Sequence, residues 1–295
     1  MADASPDVQN FDAPRPYKLT RVGVKGVRKP VKIHRPGQEP HDVTVDFDLF
    51  VDLPATQKGT HMSRNLEALA DVLDGQIVDR EARSLENLCG RVVAALLEKH
   101  DYADVAEVRA RTTFFLQQHN PGGKPTLEGY GLRATALGDR AAGIRRRLGV
   151  EVLGASACPC AMETARFKFA EQGIEIPEDV PFITHNQRNE VVLELDLPDG
   201  DDIEAADLVA VCEDSLSAPT YGYLKRGDEG DLVIQSHHDP KFVEDVVREV
   251  LHQVEKRFPD LADGTHVFAS SEAQESIHKH NAYAERATSL AELRA

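Results

Sequence analysis

The order of the predicted secondary-structure elements restricts the fold of this chain more than any other feature. In the first half, two strand patterns, two helical patterns and a further strand pattern follow one another at 18–36, 41–53, 63–75, 84–100 and 103–118. The second half repeats this order, with extended or helical patterns at 141–157, 189–197, 201–217, 239–258 and 264–273. Strands and helices do not alternate one by one, so the order predicts an α+β fold of two similar units rather than a βαβ fold.

Two kinds of periodicity support these assignments. In the strand at 41–53, Val43, Val45, Phe47 and Leu49 alternate with polar residues and form one apolar face. The helix at 239–258 carries one apolar stripe, with Asp239 as its predicted cap and Pro240 at its first position. The stripe consists of Phe242, Val243, Val246, Val247, Val250, Leu251 and Val254.

The predicted domain organisation follows from where the Gly- and Pro-rich segments lie. Residues 1–16 are polar and are predicted to be a flexible tail, and the segment PGGKPTLEGYGL predicts a loop or linker at 121–139. The two units are then predicted at 17–120 and 140–295. Turns are predicted at 35–40 and around 198–200.

Charge and hydropathy exclude several classes of function. The chain has 50 acidic and 34 basic residues, and its net charge of −16 would repel nucleic-acid phosphates and anionic membranes. It has no apolar run long enough for a transmembrane helix and no secretory signal, so we expect a cytoplasmic protein. An acidic, lysine-poor chain also resembles proteins of salt-accumulating halophiles. Cys89 and Cys212 lie among apolar helical positions and are predicted to be buried packing residues.

Four short segments carry residue types that suit chemistry. The segment KGTHMSRNLE places Lys58, His61 and Arg64 at a helix N-terminus, an arrangement that favours an anion, although a capped helix with solvated charges fits equally. Cys158 and Cys160 stand two apart in ACPCAMETA, where they are either metal ligands or buried thiols. The other two segments are FITHNQRNEV, with His185, Gln187 and Arg188, and SIHKHNAY, with His278 and His280.

These donors could together form a metal site. An H-x-H pair presents two imidazoles on the same side of an extended segment. The segment LKRGDEGD adds carboxylates, although alone it would be interpreted as a charged surface turn. Sulfur, imidazole nitrogen and carboxylate oxygen together suit zinc or ferrous iron, and an open ligand position would activate water.

Taken together, the motifs resemble those of the type IB GTP cyclohydrolases, and more closely their archaeal, methanopterin-type branch. The resemblance covers roughly residues 20–286 and keeps the order of the family's motifs. The matching segments are VDLPATQKGTHMSRNLE, the CPC turn, HNQR, LKRGDE followed by DPKFVED, and ESIHKHNAYAE. In the family a proline usually stands where this chain has Gly227.

The resemblance implies a fold, an assembly and a set of site residues. The implied fold has two tandem tunnelling-fold units, each an antiparallel sheet with two helices on one face, in a homodimer or homotetramer whose association closes a barrel. Active sites would lie at subunit interfaces. The implied metal site uses Cys158, His185, Glu229, His278 and His280, with Cys158 and His185 also catalytic. Glu244 would anchor the guanine, while Lys58, His61, Arg64 and Arg188 would bind the phosphates.

The resemblance also implies a reaction. GTP and water would give 7,8-dihydroneopterin 2′,3′-cyclic phosphate, formate and diphosphate, the first step of methanopterin or folate biosynthesis, with Fe²⁺ as the expected metal and Zn²⁺ or Mn²⁺ as alternatives. One alternative is the bacterial-type product, dihydroneopterin triphosphate. Others are a related enzyme that uses Cys158 as a covalent nucleophile, and a non-catalytic purine- or metal-binding protein of the same fold.

Overall fold

A computed structural model of the chain describes residues 6–33, 41–78, 84–177, 179–197 and 203–295. It contains nine strands: β1 (Leu19–Ile33), β2 (His41–Leu53), β3 (Val105–His119), β4 (Pro125–Asp139), β5 (Gly143–Ala157), β6 (Asn186–Leu197), β7 (Ala218–Pro219), β8 (His266–Ala273) and β9 (Ala282–Ser289). It contains seven α-helices: α1 (Met62–Val78), α2 (Leu85–Lys99), α3 (Pro159–Ala170), α4 (Ala205–Ser215), α5 (Arg226–His238), α6 (Val243–Arg257) and α7 (Leu290–Leu293).

The strands form one sheet, in the order β1-β2-β3-β4-β5-β6-β8-β9, with β7 paired to β5. The pairs β1–β2, β2–β3, β6–β8 and β8–β9 are antiparallel. The contacts divide the chain into two compact units, the first made of Met1–Thr113, Arg133–Leu148 and Leu197–Asp199 and the second of the rest. The observed α+β fold therefore confirms the predicted fold class.

The core of the first unit lies on the face of β2 that the alternating pattern predicts. Val45, Phe47 and Leu49 are fully buried, whereas the intervening Asp46 and Asp48 lie on the opposite face. Helices α1 and α2 pack against each other, and α1 contacts the sheet through a hydrogen bond from Asn65 Nδ2 to the carbonyl oxygen of Leu49 (3.3 Å). Cys89 of α2 is fully buried, as predicted, and burial raises the pKa of its thiol.

The core of the second unit depends on the apolar stripe of α6. Every member of the predicted stripe from Val243 to Val254 is buried against α4 and β8. Burying each valine contributes about 1.5–3 kcal/mol relative to leaving it exposed. Cys212 of α4 is fully buried, as predicted. Phe242 is the exception, because 44% of its surface is exposed.

Two elements form where the sequence predicted a linker or a turn. Residues 125–139, within the predicted linker at 121–139, form β4, in which Tyr130, Leu132, Ala134 and Ala136 are buried at alternate positions. The linker prediction is therefore wrong at 125–139, because Gly131 allows the side chain of Glu151 to lie close to the backbone of β4 and does not form a turn. A Cβ atom at Gly131 would lie only 2.8 Å from the side chain of Glu151. Residues 226–238 form α5, which includes most of the segment LKRGDEGD (224–231) that alone would be interpreted as a charged surface turn.

The predicted start of the helix at 239–258 and the predicted N-terminal tail also differ from the structure. Helix α6 begins at Val243 with Phe242 as its N-cap, and Asp239 instead ends α5. In the predicted tail, Val8–Asn10 form a 3₁₀ helix, and the carbonyl oxygen of Phe11 accepts from the N–H of Lys58 (2.9 Å). The turns predicted at 35–40 and 198–200 lie outside the described residues. Among the helices that are described, none is both long and apolar enough to cross a membrane.

A buried hydrogen-bond network fixes the start of α1 in the first unit. His100 is fully buried, with Nε2 2.7 Å from Asn65 Oδ1 and Nδ1 2.8 Å from the hydroxyl of Tyr102, which also contacts Thr60 Oγ1. Because Asn65 Nδ2 donates to Leu49, its Oδ1 must accept, so His100 carries its proton on Nε2. Burial, together with the charge of Arg64, lowers the pKa of His100 from 6.5 to about 4.

This network predicts an acid-sensitive fold. A folded-state pKa below the unfolded value means that the unfolded chain binds the proton more readily, so stability falls as pH drops from about 6.5 to about 4. The loss attributable to His100 is on the order of 3 kcal/mol. In His100→Gln the free energy of urea unfolding should be lower at pH 7 but should change less between pH 7 and pH 4.5 than in the wild type. The exposed His252→Gln is the matched control; an equally steep profile in His100→Gln would contradict the assignment.

Candidate active site

A cavity of about 370 Å³ in the second unit brings together residues from four of the predicted motifs. This volume lies in the range of small-molecule sites. Residues that matter for its chemistry are Cys158, Gln187, Lys241, Glu244, Glu275 and Tyr283. The cavity therefore has a thiol, two carboxylates, an amide, an ammonium group and an aromatic ring on its walls.

Cys158 lies where β5 ends and α3 begins. It is the N-cap of α3, with Pro159 at the first helical position, and its Sγ accepts from the N–H of Ala161 at 3.5 Å. Two hydrogen bonds tie it to the segment before β6. The N–H of Cys158 donates to the carbonyl oxygen of His185 (3.1 Å), and Thr184 Oγ1 donates to the carbonyl oxygen of Cys158 (2.6 Å). The backbone of Cys158 is thus joined to the segment that carries His185.

A polar chain behind His185 fixes the orientation of its ring. The register of β6 and β8 pairs Asn189 with Ala273, so two residues further along Gln187 faces Glu275. Gln187 Nε2 lies 3.4 Å from Glu275 Oε1 and 3.3 Å from Ser156 Oγ. Since the amide nitrogen faces the carboxylate, the amide oxygen is left to face His185 Nδ1, at 2.8 Å.

These side-chain contacts determine which nitrogen of His185 carries the proton. An amide oxygen can only accept, so Nδ1 must donate, and Nε2 keeps a free lone pair. Glu275 Oε2 lies 3.5 Å from the same Nδ1 and favours the proton there. The side chains of His185 and Glu275 are 10% and 12% exposed, which strengthens the contact. Metal-ligating histidines typically show this arrangement, so the ring of His185 is oriented as that of a metal ligand would be.

His278 and His280 lie beside His185, in the segment between β8 and β9. The ring centroids of His185 and His278 are 6.3 Å apart, and the rings of His278 and His280 stack at 5.2 Å with an interplanar angle of 18°. Both residues of the pair are exposed and lie in bends rather than in an extended strand. The predicted common orientation of the two rings is nevertheless present.

Glu229 is the predicted metal-site residue for which the structure gives no contact with the other four. It is exposed in the first turn of α5, and its N–H donates to the carbonyl oxygen of Lys225. Gly227 does not disrupt this turn, since Asp228 Oδ2 accepts from the N–H of Lys225 (3.0 Å) and caps the helix. Within the described parts of the chain, no three His, Cys, Asp or Glu side chains form a group that could hold a metal ion.

Glu244 lies on the cavity wall, at the start of α6. The neighbouring Asp245 caps the helix, because its Oδ2 accepts from the N–H of Phe242 (3.2 Å). Glu244 is therefore not needed for capping, and its exposed carboxylate has no hydrogen-bond partner among the described residues. Phe242 and Tyr283 also line the cavity, with 44% and 55% of their surfaces exposed. Two exposed aromatic rings beside a free carboxylate suit a planar, hydrogen-bonding ligand.

The predicted phosphate-binding residues lie in both units. In the second unit, Arg188 is exposed near the start of β6. In the first unit, His61 Nε2 lies 2.8 Å from Asp7 Oδ1, and Arg64 donates to the carbonyl oxygen of Lys99 (3.2 Å). Lys58 is exposed just before α1. The structure thus gives His61 and Arg64 protein partners of their own and leaves Lys58 and Arg188 open to solvent.

Several site residues were not predicted from the sequence. Gln187 belongs to a polar segment of the sequence, Glu275 and Tyr283 carry no pattern of their own, and Phe242 belongs to the apolar stripe that predicts a core position. The motif ESIHKH contains Glu275 and could have indicated it. Its contact with Gln187 depends on the register of two strands that are separated by about 70 residues of chain, so no local pattern predicts it.

Comparison with known proteins covers nearly the whole chain. A family model described as type I GTP cyclohydrolase folE2 matches residues 5–284. The GTP cyclohydrolase MptA of Methanothermobacter thermautotrophicus is 40% identical over 302 residues, covering 98% of this chain and 95% of the relative. The protein of the same name from Methanocorpusculum labreanum is 41% identical, covering 98% of this chain and 97% of that protein.

Among solved structures, the uricase of Arthrobacter globiformis is similar in fold. It superposes with a TM-score of 0.58 at 9% sequence identity, covering 92% of this chain and 93% of the uricase. A hyper-thermostable mutant of that uricase gives a TM-score of 0.54. At such low identity the likeness concerns the fold alone, and it confirms the predicted tunnelling fold.

The polar chain behind His185 predicts a measurable tautomer. In metal-free wild-type protein, the imidazole nitrogen chemical shifts of His185 should show the proton on Nδ1. Gln187→Ala removes the acceptor at 2.8 Å, so the ring should become a mixture of tautomers. Gln274→Ala is the matched control, because Gln274 is exposed and bonds to Arg188 only through its backbone. A tautomer that stays unchanged even when Glu275, the second group near Nδ1, is also replaced by Ala would contradict the assignment.

Proposed function

This chain belongs to the type I GTP cyclohydrolase family, and we propose that it converts GTP and water to 7,8-dihydroneopterin 2′,3′-cyclic phosphate, formate and diphosphate. The match to MptA proteins at about 40% identity over 98% of the chain supports the reaction of that branch. The observation that carries the proposal is that Cys158 and Glu244 line one cavity, and that the backbone N–H of Cys158 donates to the carbonyl oxygen of His185. This step would begin the biosynthesis of methanopterin or folate.

The proposed substrate contact is between Glu244 and guanine. The edge of guanine that carries N1–H and the 2-amino group offers two donors in one plane. A carboxylate is an acceptor with two oxygens, so a free Glu244 matches that edge. Phe242 and Tyr283 would lie against the flat faces of the base. Lys58, His61, Arg64 and Arg188 are the proposed phosphate ligands. Three of them belong to the first unit and one to the second, and the proposed site is completed where subunits meet.

The proposed metal ligands are Cys158, His185, Glu229, His278 and His280. Ferrous iron suits this mixture of sulfur, nitrogen and oxygen ligands and is the proposed metal, with Zn²⁺ and Mn²⁺ as alternatives. A divalent metal bound there would supply the Lewis acidity that activates water for hydrolysis. Gln187 and Glu275 orient the ring of His185 and leave its Nε2 lone pair free. Either His185 or one residue of the His278/His280 pair would carry protons to the guanine ring nitrogen, and a residue of the pair in that role would not bind the metal.

The assembly and the alternatives follow from the same site. Homodimers or homotetramers with active sites at subunit interfaces are proposed, in keeping with the fold. Dihydroneopterin triphosphate remains the alternative product, and a purine- or metal-binding protein without turnover is the alternative function. The match to GTP cyclohydrolases over nearly the whole chain favours an enzyme.

The role of Cys158 can be tested by separating binding from turnover. Cys158→Ala removes the proposed sulfur ligand but leaves Glu244 and the aromatic walls in place. It should therefore keep GTP affinity within a few-fold and lose formate release by about a thousandfold or more. Cys89→Ala removes a thiol of the first unit and should retain turnover, with reduced stability. Full activity in Cys158→Ala would exclude the metal assignment.

The role of Glu244 can be tested with a nucleotide that lacks one donor. Inosine triphosphate has no 2-amino group, so the wild type should prefer GTP over it by about tenfold to a hundredfold in kcat/KM. Glu244→Gln cannot accept from two donors in the same way, and its preference should fall to about threefold or less. Glu255→Gln on the same helix is the control. An unchanged preference in Glu244→Gln would place the guanine elsewhere.

A further inference from the structure

A second cavity, of about 630 Å³, lies in the first unit on the sheet face that the helices do not cover. Its lining residues are Lys25, Gly26, Arg28, Asp46, Asp48, Arg109 and Arg111. They belong to β1, β2 and β3 and alternate along β2 with the buried core residues. The predicted motifs do not include any of them, and the proposed reaction gives them no role.

The strand registers arrange these charges in rows across the sheet. Asp46 lies opposite Arg28 on β1 and opposite Arg111 on β3. In the next row, Asp48 lies opposite Arg109. Each carboxylate is thus flanked by arginine, and the guanidinium groups reach the cavity from both sides of β2.

An irregularity in β1 adds a fourth cation to these rows. The register of β1 and β2 shifts between Val24 and Val27, and Gly26 within it has a φ of +68°, which favours glycine. The N–H of Gly26 donates to Asp48 Oδ1 at 2.9 Å instead of to the β2 backbone. This bulge places Lys25 on the cavity wall.

The charges of the cavity are not balanced. The four cations face only two carboxylates, so the lining carries a net charge of +2 in a chain whose net charge is −16. Arg28 uses both oxygens of Asp46, at 2.7 and 2.9 Å. Arg109 donates to Glu107 at 2.6 Å, and Glu107 is shared with Arg21. Among the residues that the structure describes, Lys25 and Arg111 have no carboxylate partner.

We propose that this cavity binds a polyphosphate group, with Lys25 and Arg111 as its principal ligands. Several cations around one open cavity attract a multivalent anion, and the planar donors of arginine match phosphate oxygens in pairs. The free N–H groups of Arg28 and Arg109 would complete the site. Inorganic diphosphate and the phosphate chain of a nucleotide share this chemistry, and both would occur in the proposed reaction.

The test measures binding without turnover. Inorganic diphosphate is titrated calorimetrically into the full chain in the presence of a chelator, so neither a metal nor catalysis is needed. The double variant Lys25→Gln/Arg111→Gln should bind diphosphate about tenfold more weakly or worse, because two charge-assisted contacts are lost. Lys29→Gln is the matched control on β1, since Lys29 is exposed but does not line the cavity, and it should stay within about twofold of the wild type.

The outcomes separate this site from the proposed function. Diphosphate binding that GTP displaces would assign the site to the phosphate chain of the nucleotide, and binding that GTP leaves unchanged would assign it to inorganic diphosphate. Equal affinity in the double variant and the wild type, or no binding to the wild type at millimolar diphosphate, would overturn the inference. Because both variants change exposed residues, unchanged thermal midpoints would verify that they fold. Formate release is measured separately, so either proposal can fail alone.

Discussion

Two hydrogen bonds between Cys158 and the Thr184–His185 segment are the interaction on which the rest of the site depends. They join the end of β5 to the segment that leads into β6, and both involve backbone groups of Cys158. Neither the thiol nor the imidazole is used in this connection, so both remain available for chemistry. The sulfur itself is the N-cap of α3 and accepts from the N–H of Ala161. A backbone scaffold of this kind positions reactive groups more precisely than a mobile loop would.

Sheet register then determines the second part of the site. The pairing of β6 with β8 sets Gln187 opposite Glu275, and their contact fixes the ring of His185. In the first unit, register has a different consequence, because the rows of β1, β2 and β3 gather cations around one cavity. The cavity is thus locally positive in an acidic chain, and it is where we propose that anionic groups of a substrate or product bind.

The sequence predicted those parts of the molecule that depend on local periodicity. The alternation in β2 and the stripe of α6 identified buried faces, because burial repeats at the period of the element. Local composition was misleading where tertiary packing decided the structure. Gly131 permits close approach within β4, and the charged segment after Lys225 forms α5 once Asp228 caps it. The motifs located Cys158, His185 and the His278/His280 pair, whereas Phe242 was predicted to be core and lies on the cavity wall.

The measurement that tests the central claim most directly is anaerobic incubation of the purified protein with GTP and ferrous iron, with and without a chelator. Formate is assayed, and the pterin is identified by mass spectrometry. We predict formate and a cyclic-phosphate pterin that both disappear with the chelator. No formate with any divalent metal, from protein that is folded and binds GTP, would contradict the account.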